Sequence, residues 1–201
     1  NGINLIDNTP PEFTSSATFS ADENQTAIGT VTATDAEGDA ITYSISGSDI
    51  EISSAGVLTF VTAPDYETKS SYSATITAND GTSSSTQDIT VNINNLNDNS
   101  PSFTSEATFS AAENQTAIGT VTATDADGDT ITYSISGSDI TINSSSGVIA
   151  FASAPDYETT TSYSATVTAS DGTNSTTQDI TVNVTNVNDN SPSFTSEATF
   201  S

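Results

Sequence analysis

The chain has 201 residues, with 26 Asp and Glu against a single Lys or Arg, a formal net charge of −25, and no Cys, His, Met or Trp. That balance excludes nucleic acid and anionic membrane as partners, because both require a basic face, and it favours cationic ones. Without Cys or His there are no disulfides, zinc-thiolate sites or thiol and imidazole catalysts, and 33% hydrophobic residues suit two small cores better than one large one.

An internal repeat organises the chain. Residues 23–50 (Glu23 to Ile50) and 113–140 (Glu113 to Ile140) are the same string except that Glu37 becomes Asp127 and Ala40 becomes Thr130. After one extra residue in the 141–147 loop, Asp65 matches Asp156 and Asp98 matches Asp189. Residues 191–201 repeat 100–110, so the expected division is repeat one at 1–98, repeat two at 99–189, and the start of a third at 190–201. A segment of a longer array is the expectation.

Taken in chain order, the first repeat predicts strands over 17–21, 27–34, 41–47, 50–53 with 57–61, 72–78 and 86–94. Each alternates apolar residues with Thr and Ser, as in Ile41, Tyr43 and Ile45 or Ile89, Val91 and Ile93. Turns fall at Glu37-Gly38-Asp39, Ala55-Gly56 and Asp80-Gly81. About seven strands per repeat is the size of an immunoglobulin-like sandwich. Tyr and Phe recur at equivalent positions in both repeats, which reads as core filling. No apolar run approaches the roughly 18 residues of a membrane helix.

The acids gather in turns and in the linker. Repeat one carries Glu23 in Glu-Asn, Asp35 and Glu37 in Asp-Ala-Glu-Gly-Asp, Asp65 and Glu67 in Pro-Asp-Tyr-Glu, and Asp80 in Asp-Gly-Thr, before the run Asn95-Leu96-Asn97-Asp98-Asn99-Ser100-Pro101. Crowded carboxylates need a divalent ion between them, and an oxygen-only donor set selects Ca²⁺ over metals that take nitrogen or sulfur. Asp49, Glu51, Asp88, Asp139, Asp179, Glu12, Glu106 and Glu197 read as solvated surface. An EF-hand reading of Asp125-Ala126-Asp127-Gly128-Asp129 fails, because Thr130 and Ser136 stand where Gly and the bidentate Glu are needed. Carboxylates alone, copied in both repeats, argue against an enzyme.

Together the five acidic motifs resemble the tandem extracellular cadherin repeat, over both repeats and in the family's order. The resemblance implies an all-β fold of two seven-stranded Greek-key sandwiches joined by a calcium-binding linker, with three Ca²⁺ per junction. It assigns the central junction to Glu23, Asp65 and Glu67, to the Asn95, Asn97 and Asp98 side chains and the Leu96 and Asn99 carbonyls of the linker, and to Asp125, Asp127 and Asp171 with a backbone carbonyl near Asp129. Half sites follow at Asp35, Glu37 and Asp80, with Asp7 and Asn8, and at Glu113, Asp156, Glu158, Asn188 and Asp189. Seven carboxylates at the central junction nearly balance three Ca²⁺. Asn95 and Asn186 depart from the Asp with which the family's linker usually opens.

The function so implied is a calcium-rigidified extender or adhesion segment of a large extracellular, cell-surface or secreted protein, with neighbouring repeats as partners. The Lys-poor, Cys-free, Thr- and Ser-rich composition looks more like bacterial giant adhesins than animal cadherins. The alternatives are a polysaccharide-binding module, which an exposed aromatic strip would favour, and calcium-dependent homophilic adhesion.

Overall fold

A computed structural model describes residues 8–194. Asp7, Glu197 and most of the expected third repeat lie outside the described residues. The chain divides into two compact units, 1–96 and 97–201, so the division falls inside the 95–99 linker.

In the first unit the strands are β1 (Glu12–Phe13), β2 (Thr18–Asp22), β3 (Ala27–Thr30), β4 (Ala33–Thr34), β5 (Thr42–Ile45), β6 (Ile50–Ile52), β7 (Val57–Phe60), β8 (Ser71–Asn79) and β9 (Ser84–Asn94). Seven of them build two sheets, β2-β9-β8-β5 and β3-β7-β6, and the two-residue β1 and β4 form a separate ladder. Strand alternation dictates the packing: the last part of β9 buries Ile89, Val91 and Ile93 and exposes the Thr and Asn between them. With Val31, Leu58, Phe60 and Ile76 they form the core, against which Phe13, Phe19, Tyr43, Tyr66 and Tyr72 pack, so these rings fill the interior as expected.

The second unit repeats this plan with β10 (Ser102–Phe103), β11 (Thr108–Ala112), β12 (Ala117–Thr120), β13 (Ala123–Thr124), β14 (Thr132–Ile135), β15 (Ile140–Ile142), β16 (Val148–Phe151), β17 (Ser162–Ser170) and β18 (Ser175–Thr185). Its core holds Val121, Ile149, Phe151, Val167, Ile180 and Val182.

One feature departs from the predicted strands. The expected 27–34 strand is two, because the chain changes partners after Thr30. Val31 N–H donates to Gly56 O at 2.8 Å, Thr32 O accepts from Thr14 N–H at 2.9 Å, and Ala33 N–H donates to the Tyr43 hydroxyl at 2.9 Å. Gly56 sits at φ +79°, and a Cβ there would stand 2.2 Å from Val31 O, so only glycine closes this turn. Strand direction, which alternation alone does not specify, is parallel at one edge of each larger sheet: β2 runs beside β9, and β11 beside β18, in the same direction.

Candidate metal-binding ends of each repeat

Strand β17 is nine residues long, about 30 Å at the usual rise, and its two ends meet different acidic loops. The end at Ser162 adjoins the Pro-Asp-Tyr-Glu turn and the chain leaving β18; the end at Ser170 adjoins the Asp171 turn. Each repeat therefore carries two acidic ends, one at its entry and one at its exit.

The exit end is organised by a buried glutamate. Glu23 follows β2 directly and is only 2% exposed. Its Oε2 accepts the Tyr66 N–H at 2.8 Å, from the Pro-Asp-Tyr-Glu turn, and its Oε1 accepts the Leu96 N–H at 2.8 Å, from the linker. Glu113, 3% exposed, does the same for Tyr157 N–H (2.8 Å) and Val187 N–H (2.7 Å). A buried charge is tolerated when it is this fully hydrogen-bonded, and each oxygen keeps a lone pair for a cation. The residue after each glutamate, Asn24 or Asn114, adopts φ +63° or +64°. Asn tolerates that left-handed conformation better than other non-glycine residues, which explains the Glu-Asn pair: Asn reverses the chain and Glu faces inward.

Around this glutamate the acids converge. In the first unit, carboxylate oxygens of Glu23 and Glu67 lie within 4.8 Å of each other. In the second, Glu113, Asp156 and Glu158 form a three-carboxylate group within the same limit, and the Asn186 amide donates to Glu158 Oε1 at 3.0 Å. Asp65 is not in a comparable group. Thr68 supplies its hydroxyl at 2.9 Å and its N–H at 3.2 Å, and the Thr68 hydroxyl leads in holding the Asp65 carboxyl below its usual range. Asp189 accepts from the Asn114 amide at 2.6 Å and from Asn190 at 3.1 Å, while Asn188 is exposed.

The entry end of the second unit brings Asp125, Asp127 and Asp129 within 4.8 Å of one another. Asp127 fastens the linker: its Oδ2 accepts the N–H groups of Asp98 (3.1 Å) and Asn99 (2.9 Å), and its Oδ1 accepts the Asn99 amide at 3.0 Å. Asn97 is held from the same unit by the Asn174 amide, at 3.1 Å to its side-chain oxygen. Asn174 was not legible as a site residue, since Asn three positions after Asp171 resembles any turn residue. In the first unit Glu37 takes the role of Asp127, accepting the Thr9 N–H (3.1 Å) and hydroxyl (2.8 Å), and its longer arm is thereby used.

The decisive electrostatic feature lies in three aspartates. Asp125 Oδ1 accepts the Asp129 N–H at 3.1 Å, and Asp171 Oδ1 accepts the N–H groups of Thr173 (2.7 Å) and Asn174 (2.6 Å). Yet Oδ2 of Asp125, of Asp171 and of Asp35 is shut off from solvent with no hydrogen-bond partner. Burial raises the Asp171 carboxyl, but the Asn174 and Thr173 amides outweigh it and keep it ionised below its usual range. A buried carboxylate oxygen that no donor reaches calls for a cation. All donors here are oxygens, the set that fits Ca²⁺. Asp80 is different, because Ser83 N–H, Ser83 Oγ, Thr82 N–H and the Asn8 amide fill both its oxygens and hold it far below the usual carboxylate range.

Known proteins resemble this chain in sequence and in fold. The Cadherin domain family model matches residues 107–185. The Drosophila melanogaster protocadherin-like wing polarity protein stan is 35% identical over 199 residues, covering 85% of this chain and 6% of the relative. Human protocadherin Fat 1 is 37% identical over 179 residues, covering 77% of this chain and 4% of the relative, so the chain spans only a small part of the length of these relatives. Among solved structures, mouse cadherin-23 EC22-24 superposes with a TM-score of 0.75 at 26% identity, over 91% of this chain and 68% of that one. These relatives are animal proteins, and none of them supports the bacterial-adhesin resemblance drawn from composition. The family match over 107–185, the relatives and the shared fold carry one conclusion: this chain is built of cadherin repeats.

Proposed function

We propose that the chain is a calcium-binding spacer or adhesion segment within a much larger extracellular protein, in which Ca²⁺ fixes successive repeats through the 95–99 linker. The observation that carries this reading is the pair of buried, partnerless oxygens on Asp125 and Asp171 beside the Asp127-anchored linker. The ligands are Glu23, Asp65 and Glu67 from the exit end of repeat one, Asn95 to Asn99 from the linker, and Asp125, Asp127, Asp129 and Asp171 from the entry end of repeat two. Asp35, Glu37 and Asp80, and Glu113, Asp156, Glu158, Asn188 and Asp189, serve the neighbouring junctions. Ca²⁺ supplies positive charge there, and the protein's part is to present oxygens already oriented by backbone N–H donors. Two near-identical copies suit a spacer, which needs equivalent units. A polysaccharide-binding reading finds no aromatic strip among the described residues: apart from Phe194, the rings there pack against the two cores.

Calorimetric titration with Ca²⁺ and Mg²⁺ tests the proposal. At least two Ca²⁺ should bind per chain with Kd on the order of 10⁻⁴ to 10⁻³ M, the range of extracellular modules, and Mg²⁺ should bind more weakly. Equal affinity for Mg²⁺, or fewer than two Ca²⁺, overturns it. Far-UV dichroism should change little on adding EDTA, because the two cores are built of apolar side chains that take no part in ion binding.

A further inference from the structure

The single basic residue of the chain has an unusual setting. Lys69 Nζ lies 2.8 Å from Asp49 Oδ2 and 4.0 Å from the centroid of the Tyr72 ring, in a groove also lined by Ser48, Val61 and Thr68. The ammonium is thus held between a carboxylate and an aromatic face, two elements that recognise a cation.

The second repeat has the same groove without the cation. Asp139 stands for Asp49, Tyr163 for Tyr72, and Thr160 for Lys69. The frame is conserved in detail. Ala152 N–H donates to Asp139 O at 2.8 Å where Val61 N–H donates to Asp49 O at 3.0 Å, and Thr160 N–H and Lys69 N–H each reach the aspartate carbonyl four residues back at 2.9 Å. Phe151 holds the Tyr163 ring at 5.1 Å and 63°, as Phe60 holds Tyr72 at 4.9 Å and 60°. The groove there measures about 330 Å³, against about 390 Å³ beside Lys69, and is lined by Ser138, Asp139, Ala152, Ser153, Asp156 and Tyr163. Among the described residues the Asp139 carboxylate has no hydrogen-bonding or ionic partner, and the chain holds no second Lys or Arg to supply one.

We propose that the Asp139–Tyr163 groove of the second repeat is a docking site for an exposed lysine of a partner protein, Lys69 being the intramolecular occupant of the equivalent groove in the first repeat. Charge complementarity sets the occupant: the Asp139 carboxylate and the Tyr163 ring face stand as Asp49 and Tyr72 stand around the Lys69 ammonium in the sister repeat. A second copy of this chain is the poorer candidate, since its one lysine is engaged in its own groove. Single-ammonium binding is weak, so the groove sets the register of a larger contact rather than holding it alone.

The test is an NMR titration of the full chain in saturating Ca²⁺ with Nα-acetyl-lysine N-methylamide, and with the same compound acetylated at Nε as an uncharged control. Resonances of Tyr163 and Asp139 should shift saturably, with a midpoint on the order of 10⁻² M or weaker, and the uncharged control should leave them in place. Asp139→Asn should weaken the response about fivefold, the size of a partly exposed charge contact. Tyr72 should not respond in the parent and should begin to respond in Lys69→Thr, whose groove is then vacated. Equal shifts with the acetylated control, an Asp139→Asn curve overlying the parent, or shifts spread evenly over all acidic turns would overturn the proposal. So would Tyr163 shifts that depend on protein concentration without ligand and vanish in Lys69→Thr, which would assign the groove to a second copy of the chain.

Discussion

The two repeats share a core nearly residue for residue but differ in how their entry ends are satisfied. In the first, Asp80 has both oxygens filled by protein donors, with the Asn8 amide and the Ser83 hydroxyl closing the second one. In the second, Asn174 stands where Ser83 stood, its amide turns to Asn97, and Asp171 keeps a buried oxygen without a partner. The same fold thus builds one aspartate that is complete and one that is not. Protein donors alone order the first turn, whereas the second leaves an oxygen for a cation to fill.

That comparison sharpens first where the repeats are alike. Ile89→Ala and Ile180→Ala each remove a side chain that is 1% exposed, and each should destabilise its own repeat by about 3 kcal/mol, read by denaturant unfolding with repeat-resolved NMR. Unequal losses would break the claim of equivalent cores. Next, Glu23→Gln and Glu113→Gln each leave one buried backbone N–H facing an amide that cannot accept at both ends. Each should cost roughly 1–3 kcal/mol even in EDTA, because the glutamate fastens two loops independently of any ion. A loss seen only with Ca²⁺ present would show that these residues are ligands and nothing more.

Where the repeats differ, the variants should separate. Asp171→Asn should reduce Ca²⁺ affinity about tenfold while lowering the melting temperature in EDTA only modestly, since hydrogen bonds reach only its first oxygen. Asp80→Asn should lower the melting temperature in EDTA more, since protein donors reach both of its oxygens. The smallest effect is acid sensitivity. Asp65 and Asp80 in repeat one, and Asp171 in repeat two, have carboxyls held below their unfolded values. Their contribution is therefore complete above about pH 5 and lost as pH falls below about 4 through the lowered values. With two such groups against one, repeat one should lose more stability on acidification in EDTA. Repeat two losing more would contradict the assignment of filled and unfilled oxygens.

Much of this was legible in the sequence, for physical reasons that can be named. Alternation of Ile89, Val91 and Ile93 reveals a half-buried strand because side-chain direction has period two, and acids placed in turns announce ion chemistry because no apolar role explains them. The two-residue β1 and β4 ladder was not legible, since two residues carry no period. Nor was the split of 27–34, which depends on Gly56 reaching Val31 from a distant turn. The clamp made by Glu23 was hidden as well, because its partners at Tyr66 and Leu96 are backbone N–H groups that every sequence supplies. Lys69 looked like an isolated charge until the fold set it over Tyr72 and beside Asp49.

The parallel pairing of β2 with β9 has a mechanical consequence. The chain enters the larger sheet of repeat one at Thr18 and leaves it at Asn94, and the ladder from Thr18↔Thr90 to Asp22↔Asn94 sets that entrance and that exit at opposite ends of a parallel pair. Tension applied through the two chain ends would slide β2 lengthwise along β9, at right angles to their hydrogen bonds. All the bonds of the ladder are then loaded together instead of being peeled one by one, and β11 beside β18 repeats the device. Pulled from its ends, such a repeat meets the load in shear, the direction in which a short ladder is hardest to open.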